Sequence, residues 1–232
     1  MRKDVYSIYN TIILTITSSF ILFLWYLLSL IHLPESLEIS KTIQFIIKIF
    51  LEYIGSFGFY KFMTFILHWL VKAIPFVKRT VLGNSYLDGI WIGYYIGMSG
   101  KIRYIVEHYE QNLDGIQING ESYTEDLRLH STWKSTSANI ISEKGMIIYT
   151  YEVEGCDENT NNLGCSTLTF QRNSNQKSPK ILRGFSIDVQ FGKRLQNYER
   201  KLQKNEINDE HKYYEIAKEE FKNDPFNLMK KN

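Results

Sequence analysis

From Val5 to Ile31 the chain carries no Asp, Glu, Lys or Arg, and apolar residues dominate from there to Val77. An uncharged run of this length restricts the first third of the chain to a membrane helix or an all-apolar core helix. At about 1.5 Å rise per residue, a helix over Tyr6–Leu33 exceeds the roughly 30 Å hydrocarbon core of a bilayer. Trp25 and Tyr26 stand near one end of it, where amphipathic rings favour the membrane interface. A secretory signal peptide has a shorter apolar region, about 7–15 residues, followed by a small-residue cleavage site. Neither feature is present, so Tyr6–Leu33 reads as a transmembrane helix.

A second apolar segment, Ile43 to Val77, is interrupted by Lys48, Glu52 and Lys61, with Gly55 and Gly58 in its middle. Lys48 and Glu52 are four residues apart and can pair on one helix face. A charge at the bilayer centre costs several kcal/mol and normally faces protein or water. One arrangement leaves Lys48 and Glu52 outside the membrane, with a span from about Tyr53 to Val71 that still contains Lys61. The other has this helix lining an oligomer or a polar path. Arg2 and Lys3 precede the first span, and Lys72, Lys78 and Arg79 follow the second, whereas the loop between them holds Glu35, Glu38 and Lys41. The positive-inside rule then predicts both termini in the cytoplasm, with a C-terminal domain at the inner face.

The rest of the chain reads differently. Pro75–Ser85 is the predicted linker, and from Asp88 short runs rich in Ile, Val, Tyr, Thr and Trp are broken by Gly, Asn and Asp. Strands are predicted near Ile90–Gly97, Lys101–Gln111, Gly115–Glu121, Leu127–Ile141, Met146–Glu154, Ser166–Arg172 and Ile181–Val189. Turn signals such as Ser99-Gly100, Asp114-Gly115 and Lys144-Gly145, and a long Asp157–Gly164 loop, separate them. This spacing predicts a small antiparallel barrel or sandwich of about eight strands and disfavours an α/β nucleotide fold. Beyond Gln190 the spacing of Leu195, Tyr198 and Leu202 is helical, as is that of Tyr213, Ile216, Ala217 and Phe221. Asn208 or Asp209 can cap the second of these helices, and Pro225 stops it. The predicted organisation is a two-helix membrane region over 1–80, a barrel over 81–190 and a charged helical tail over 191–232.

Composition narrows the chemistry. A net charge of +2 is too small for a nucleic-acid coat, and direct nucleic-acid binding is not expected. Cys156 and Cys165 are too few for a disulfide scaffold or a Cys-only zinc site, and a reducing cytoplasm disfavours their pairing. The five histidines are dispersed, and no nucleophile elbow, P-loop or H-E-x-x-H motif occurs. Glu107 and Glu110 beside His108 read as a solvated strand edge. Neither an enzyme nor a metal or organic cofactor is expected. Strand parity puts Trp91, Gly93 and Tyr95 on one face, Ser131, Trp133 and Ser135 on one face, and Tyr149 with Tyr151. Thr167 and Thr169 oppose Leu168 and Phe170, while Arg183, Phe185 and Ile187 oppose Gly184, Ser186 and Asp188. An eight-stranded barrel is either filled by side chains or holds one small ligand.

Two features together point further. The hairpin leads by a short linker into Leu87-Asp88-Gly89-Ile90-Trp91-Ile92-Gly93, a G-x-W-x-G opening like that of lipocalin-type barrels, and the strands close with Leu182-Arg183-Gly184-Phe185-Ser186-Ile187-Asp188. Over roughly residues 6–190 this resembles the membrane-anchored β-barrel effectors of bacterial CBASS antiphage defence, which are encoded beside a cGAS-like nucleotidyltransferase. The resemblance implies a barrel that senses a cyclic dinucleotide, and transmembrane helices that then self-associate and disrupt the inner membrane, arresting or killing the infected cell. From side-chain chemistry, Arg183 is the expected phosphate contact, Trp91, Tyr95, Trp133 and Tyr151 the stacking candidates, and Thr169 a hydrogen-bond donor. Two other functions stay open: a membrane-tethered lipocalin-like binder of a lipophilic molecule, and a membrane-anchored protein-interaction scaffold.

Overall fold

The computed structural model describes residues 2–30, 41–155, 161–171, 178–189, 192–203, 206, 213–223 and 225–226. Its contacts divide into two compact units, 2–81 and a second running from Leu82 to the C-terminus. In the first unit, helices α1 (Arg2–Leu30) and α2 (Lys41–Ala73) pack against each other, and α3 (Pro75–Leu82) follows with proline at its first position, where the missing N–H has no helical partner to lose. Two windows, Asn10–Leu27 and Phe45–Ala73, are long and apolar enough to cross a membrane. The Phe20 and Phe59 rings stack at 3.7 Å, and a Cβ on Gly55 would stand 3.1 Å from Leu24. Those pairings run in opposite directions along the two helices, so the hairpin is antiparallel. Ile13, Thr17, Leu67 and Val71 are buried, while Leu22, Phe23, Trp25, Phe50, Phe62 and Phe65 face outward. An apolar outer surface of that extent suits lipid rather than water. Lys61 is exposed, its ammonium 5.7 Å from the Phe57 ring. The loop 31–40 and the side chains of Arg2, Lys3, Lys48 and Glu52 lie outside the described residues.

The second unit is the barrel. Its strands are β1 (Gly89–Ile96), β2 (Ile102–Gln111), β3 (Ile116–Tyr123), β4 (Leu129–Ile141), β5 (Met146–Gly155), β6 (Asn161–Gln171), β7 (Ile181–Asp188) and β8 (Arg194–Lys201). Each pairs antiparallel with the next, and β8 pairs with β1, closing an up-and-down barrel. Closure removes the unpaired edges that would otherwise template association. The register places Trp91 opposite Glu107, Glu107 opposite Gly120 and Gly120 opposite Trp133, so alternate residues share the lumen. A Cβ on Gly93 would stand 2.1 Å from the Tyr198 carbonyl oxygen, so the glycine ending the G-x-W-x-G opening allows β1 to approach β8 closely. Inside, Leu87, Trp91, Tyr109, Ile118, Ile140, Ile147, Leu168 and Leu182 fill the end at which the chain enters.

The helical expectation for residues 195–202 is corrected by β8. Leu195, Asn197 and Glu199 face the lumen, and Gln196, Tyr198 and Arg200 face out. A spacing of three and four residues favours one face of a helix, but over so short a segment the open ladders of β1 and β7 outweigh it and decide for the strand. The barrel therefore extends past 190 to Lys201. The second tail helix is present as α4 (Tyr213–Phe221), whose Tyr213, Ala217 and Phe221 are buried against Ile92, Tyr94, Ile96, Tyr104 and Val106 on the outer face of β1 and β2. Arg200 pairs with Glu206 at 2.9 Å and with Glu220, tying β8 to this tail. Strand β6 begins earlier than predicted because Asn161 and Asn162 pair with Glu154 and Val153 of β5. Cys156, His32, His211 and the Asn208 and Asp209 caps lie outside the described residues.

Candidate functional site

Toward the end of the barrel opposite the chain's point of arrival, the lumen turns polar and opens into a cavity of about 500 Å³. Small-ligand sites span about 300–1,000 Å³. Its wall carries the rings of Tyr95, Trp133, Tyr149 and Tyr151, the Arg103 guanidinium, the amides of Asn162 and Asn197, and residue His130. Two glycines make room for two of these rings. A Cβ on Gly120 would stand 2.2 Å from the Trp133 ring, and one on Gly164 2.3 Å from the Tyr151 ring. Each ring thus occupies the space in which a facing side chain would sit, against the wall rather than across the lumen.

Hydroxyls pair around the wall: Ser122 with Ser131 at 2.7 Å, and Ser166 with Ser186, whose oxygen also accepts from Asn197 Nδ2 at 2.7 Å. That bond sets the Asn197 amide and leaves its Oδ1 buried without a partner. On β2, Arg103 donates from Nη1 to the Ile102 carbonyl at 3.3 Å, and its buried Nε has no partner. Both residues stand opposite Tyr95 in the β1 register, one on each side. Two strand spacings separate them by about 10 Å. Burial pushes the Tyr95 phenol up, against the lowering influence of Ser122, Arg103 and Ser131. Burial likewise pushes Tyr151 up to about 12. The phenols therefore remain protonated donors at neutral pH.

Beneath the cavity lies a buried carboxyl pair. Glu107 is 1% exposed and accepts from Trp133 Nε1 and the Tyr149 hydroxyl, both at 2.9 Å, and from the Tyr109 hydroxyl at 2.8 Å. The Tyr109 oxygen also lies 3.1 Å from Glu199 Oε2. A phenol has one proton to give. With that proton on Glu107, the second contact needs Glu199 protonated and donating to the phenol oxygen. Burial, and then the Glu107 charge, push the Glu199 carboxyl well above the usual range, in accord with that assignment. Glu107 is therefore not the solvated strand edge expected from sequence, whereas Glu110 is exposed.

Of the six residues singled out by parity, Tyr95, Trp133 and Tyr151 line the cavity. Trp91 also faces the lumen but sits below it, fully buried, donating from Nε1 to the Leu87 carbonyl at 2.8 Å. Thr169 and Arg183 are corrected: they face the outside of the barrel, because Leu168, Leu182 and Gly184 take the inward positions. The Arg183 guanidinium lies 5.0 Å from the Tyr198 ring and 4.7 Å from that of Phe226, and Thr169 donates to the Arg183 carbonyl at 2.8 Å. The six do not form one site. Sequence reasoning missed Arg103, Glu107 and Asn197. Extending the Trp91 and Tyr95 parity across one hairpin would have turned Arg103 and Glu107 inward. Among the described residues, no three His, Cys, Asp or Glu side chains gather in a way that could hold a metal ion. Compared with known protein families, with characterised proteins and with solved structures, the chain matches none of them.

Proposed function

We propose that this chain is a membrane-anchored receptor, not an enzyme, whose barrel cavity takes a cyclic dinucleotide and whose helices α1 and α2 self-associate in the occupied state. Disruption of the inner membrane and arrest of a phage-infected cell follow from that association, with the ligand supplied by a neighbouring cGAS-like nucleotidyltransferase. The observation that carries the reading is a cavity of about 500 Å³ whose wall sets Arg103 beside the rings of Tyr95, Trp133 and Tyr151. A ligand with an anionic oxygen for the Arg103 guanidinium and planar bases for Trp133, Tyr95 and Tyr151 matches that wall. The phosphate contact thus passes from Arg183 to Arg103. A purely lipophilic ligand would leave the Arg103 guanidinium in this wall without a counter-charge, which disfavours the lipid-carrier function. Apolar helices α1 and α2 support the anchoring, and the charge flanks support cytoplasmic termini.

The test is titration of a cyclic-dinucleotide panel into the detergent-solubilised chain, with Arg103→Met and Arg183→Met beside the wild type. Saturable binding that Arg103→Met weakens at least about tenfold and Arg183→Met leaves within about twofold is the expected result. Failure of every member of the panel to bind, with fatty acids or retinoids binding instead, would refute it.

A further inference from the structure

A continuous buried chain of contacts runs from the cavity wall to the segment by which the polypeptide enters the barrel. Trp133 lines the cavity and donates to Glu107 Oε1, and Tyr109 donates to Glu107 Oε2. The Tyr109 ring meets Trp91 edge-on with centroids 5.5 Å apart, and Trp91 donates to the Leu87 carbonyl. Gln111 grips the same segment from β2. Its Oε1 accepts from the Leu87 and Asp88 amides at 2.7 and 3.3 Å, and its Nε2 donates to the Ser85 carbonyl at 2.7 Å. Asp88 Oδ1 accepts in return from the Gln111 amide at 2.8 Å. Trp91, Glu107, Tyr109, Gln111 and Leu87 are each at most 2% exposed.

We propose that this chain, with Gln111 as its coupling residue, reports occupancy of the cavity to residues 83–88 and so to the helices before them; the inference rests on the ligand reading above. Arg103, Glu107 and Gln111 recur every fourth residue on the inward face of β2, so one strand is cavity wall, floor and clamp. A packed interior has no slack in which a moved ring can be absorbed. Displacing Trp133 by stacking pulls on a carboxylate that also holds Tyr149 and Tyr109, and Tyr109 bears on Trp91. Plugging the end of the barrel needs only an apolar side chain. Gln111 instead fixes three backbone groups of the entering segment in one register, as a joint requires. The ligand then acts on the joint only as far as it binds one arrangement of residues 83–88 more tightly than another.

The experiment is hydrogen–deuterium exchange of the full chain in detergent, with and without saturating cyclic diguanylate or whichever cyclic dinucleotide of the panel binds, combined with cysteine-free crosslinking. In wild type the ligand should change exchange at the Leu87 and Asp88 amides by about tenfold or more. Gln111→Leu should keep ligand affinity within about twofold, abolish that response and abolish ligand-induced crosslinks. Trp91→Phe, which deletes the bond to Leu87 and little volume, should weaken the response in the same direction and provides the test if Gln111→Leu does not fold. Ligand binding with unchanged exchange at both amides, or a full response in either variant, overturns the coupling and leaves the ligand reading standing. A panel in which nothing binds overturns the ligand reading and this inference with it.

Discussion

Replacing Glu199 by Gln should stabilise the barrel, and by an amount that grows with pH. Glu199 is 1% exposed, its Oε2 lies 3.1 Å from Tyr109, and its raised carboxyl keeps a proton in the folded state. In the unfolded chain the same group ionises near the ordinary value, about 4.3. The folded state therefore binds the extra proton, and stability falls as pH rises from the unfolded value to the raised folded one, by about 1.4 kcal/mol per pH unit. Below that window the contribution is fully present. Gln imitates the protonated form, since its amide can donate to the Tyr109 oxygen, and it has no proton to lose. Wild type and Glu199→Gln should nearly coincide at pH 4.3. Above it the variant should gain on wild type by up to about 1.4 kcal/mol per pH unit until the raised folded value is passed, against a total stability of about 5–15 kcal/mol. Urea unfolding of the detergent-solubilised chain, followed by near-ultraviolet circular dichroism, measures this. Comparing the two proteins at each pH cancels the ordinary carboxylates, whose contributions run the other way. Parallel curves from pH 4.3 to 7, or a variant less stable at pH 7, would show that Glu199 does not carry the proton.

Gly120→Ala places a methyl group 2.2 Å from the Trp133 ring and should destabilise by about 1–3 kcal/mol, with a shift in tryptophan emission as the ring leaves Glu107; an unchanged urea midpoint would show that the ring is not seated on that glycine. Phe221→Ala opens the interface between α4 and the outer face of β1, where Phe221 stacks 5.1 Å from Tyr94, and should cost about 3–5 kcal/mol in the same assay. A loss under 1 kcal/mol would make α4 a peripheral attachment. The proposed cytoplasmic placement of both termini predicts that alkaline phosphatase is inactive when fused after Phe226 and active when fused after Pro34; activity of the Phe226 fusion reverses the topology.

Those features whose cause is local were legible in the chain itself. An uncharged run forms a helix that lipid can surround, so the two apolar helices follow from residue type alone. Alternation of Trp91, Gly93 and Tyr95, of Ser131 and Trp133, and of Tyr149 and Tyr151 assigns shared faces, because the side-chain period of a strand is two. Parity cannot say which face is inside. Side-chain chemistry alone turns Arg183 and Thr169 toward the lumen, whereas α4 and Phe226 cover part of the outside and let apolar and aromatic residues stand there. The eighth strand was equally invisible. Leu195, Tyr198 and Leu202 satisfy a helical spacing, and only two open ladders waiting on β1 and β7 make a strand the state in which every backbone group is paired. The Glu107–Tyr109–Glu199 group is the furthest from sequence. Its members come from strands separated by 90 positions, and a carboxyl holds its proton only where closure of the barrel has removed water and brought a second carboxyl to the same phenol.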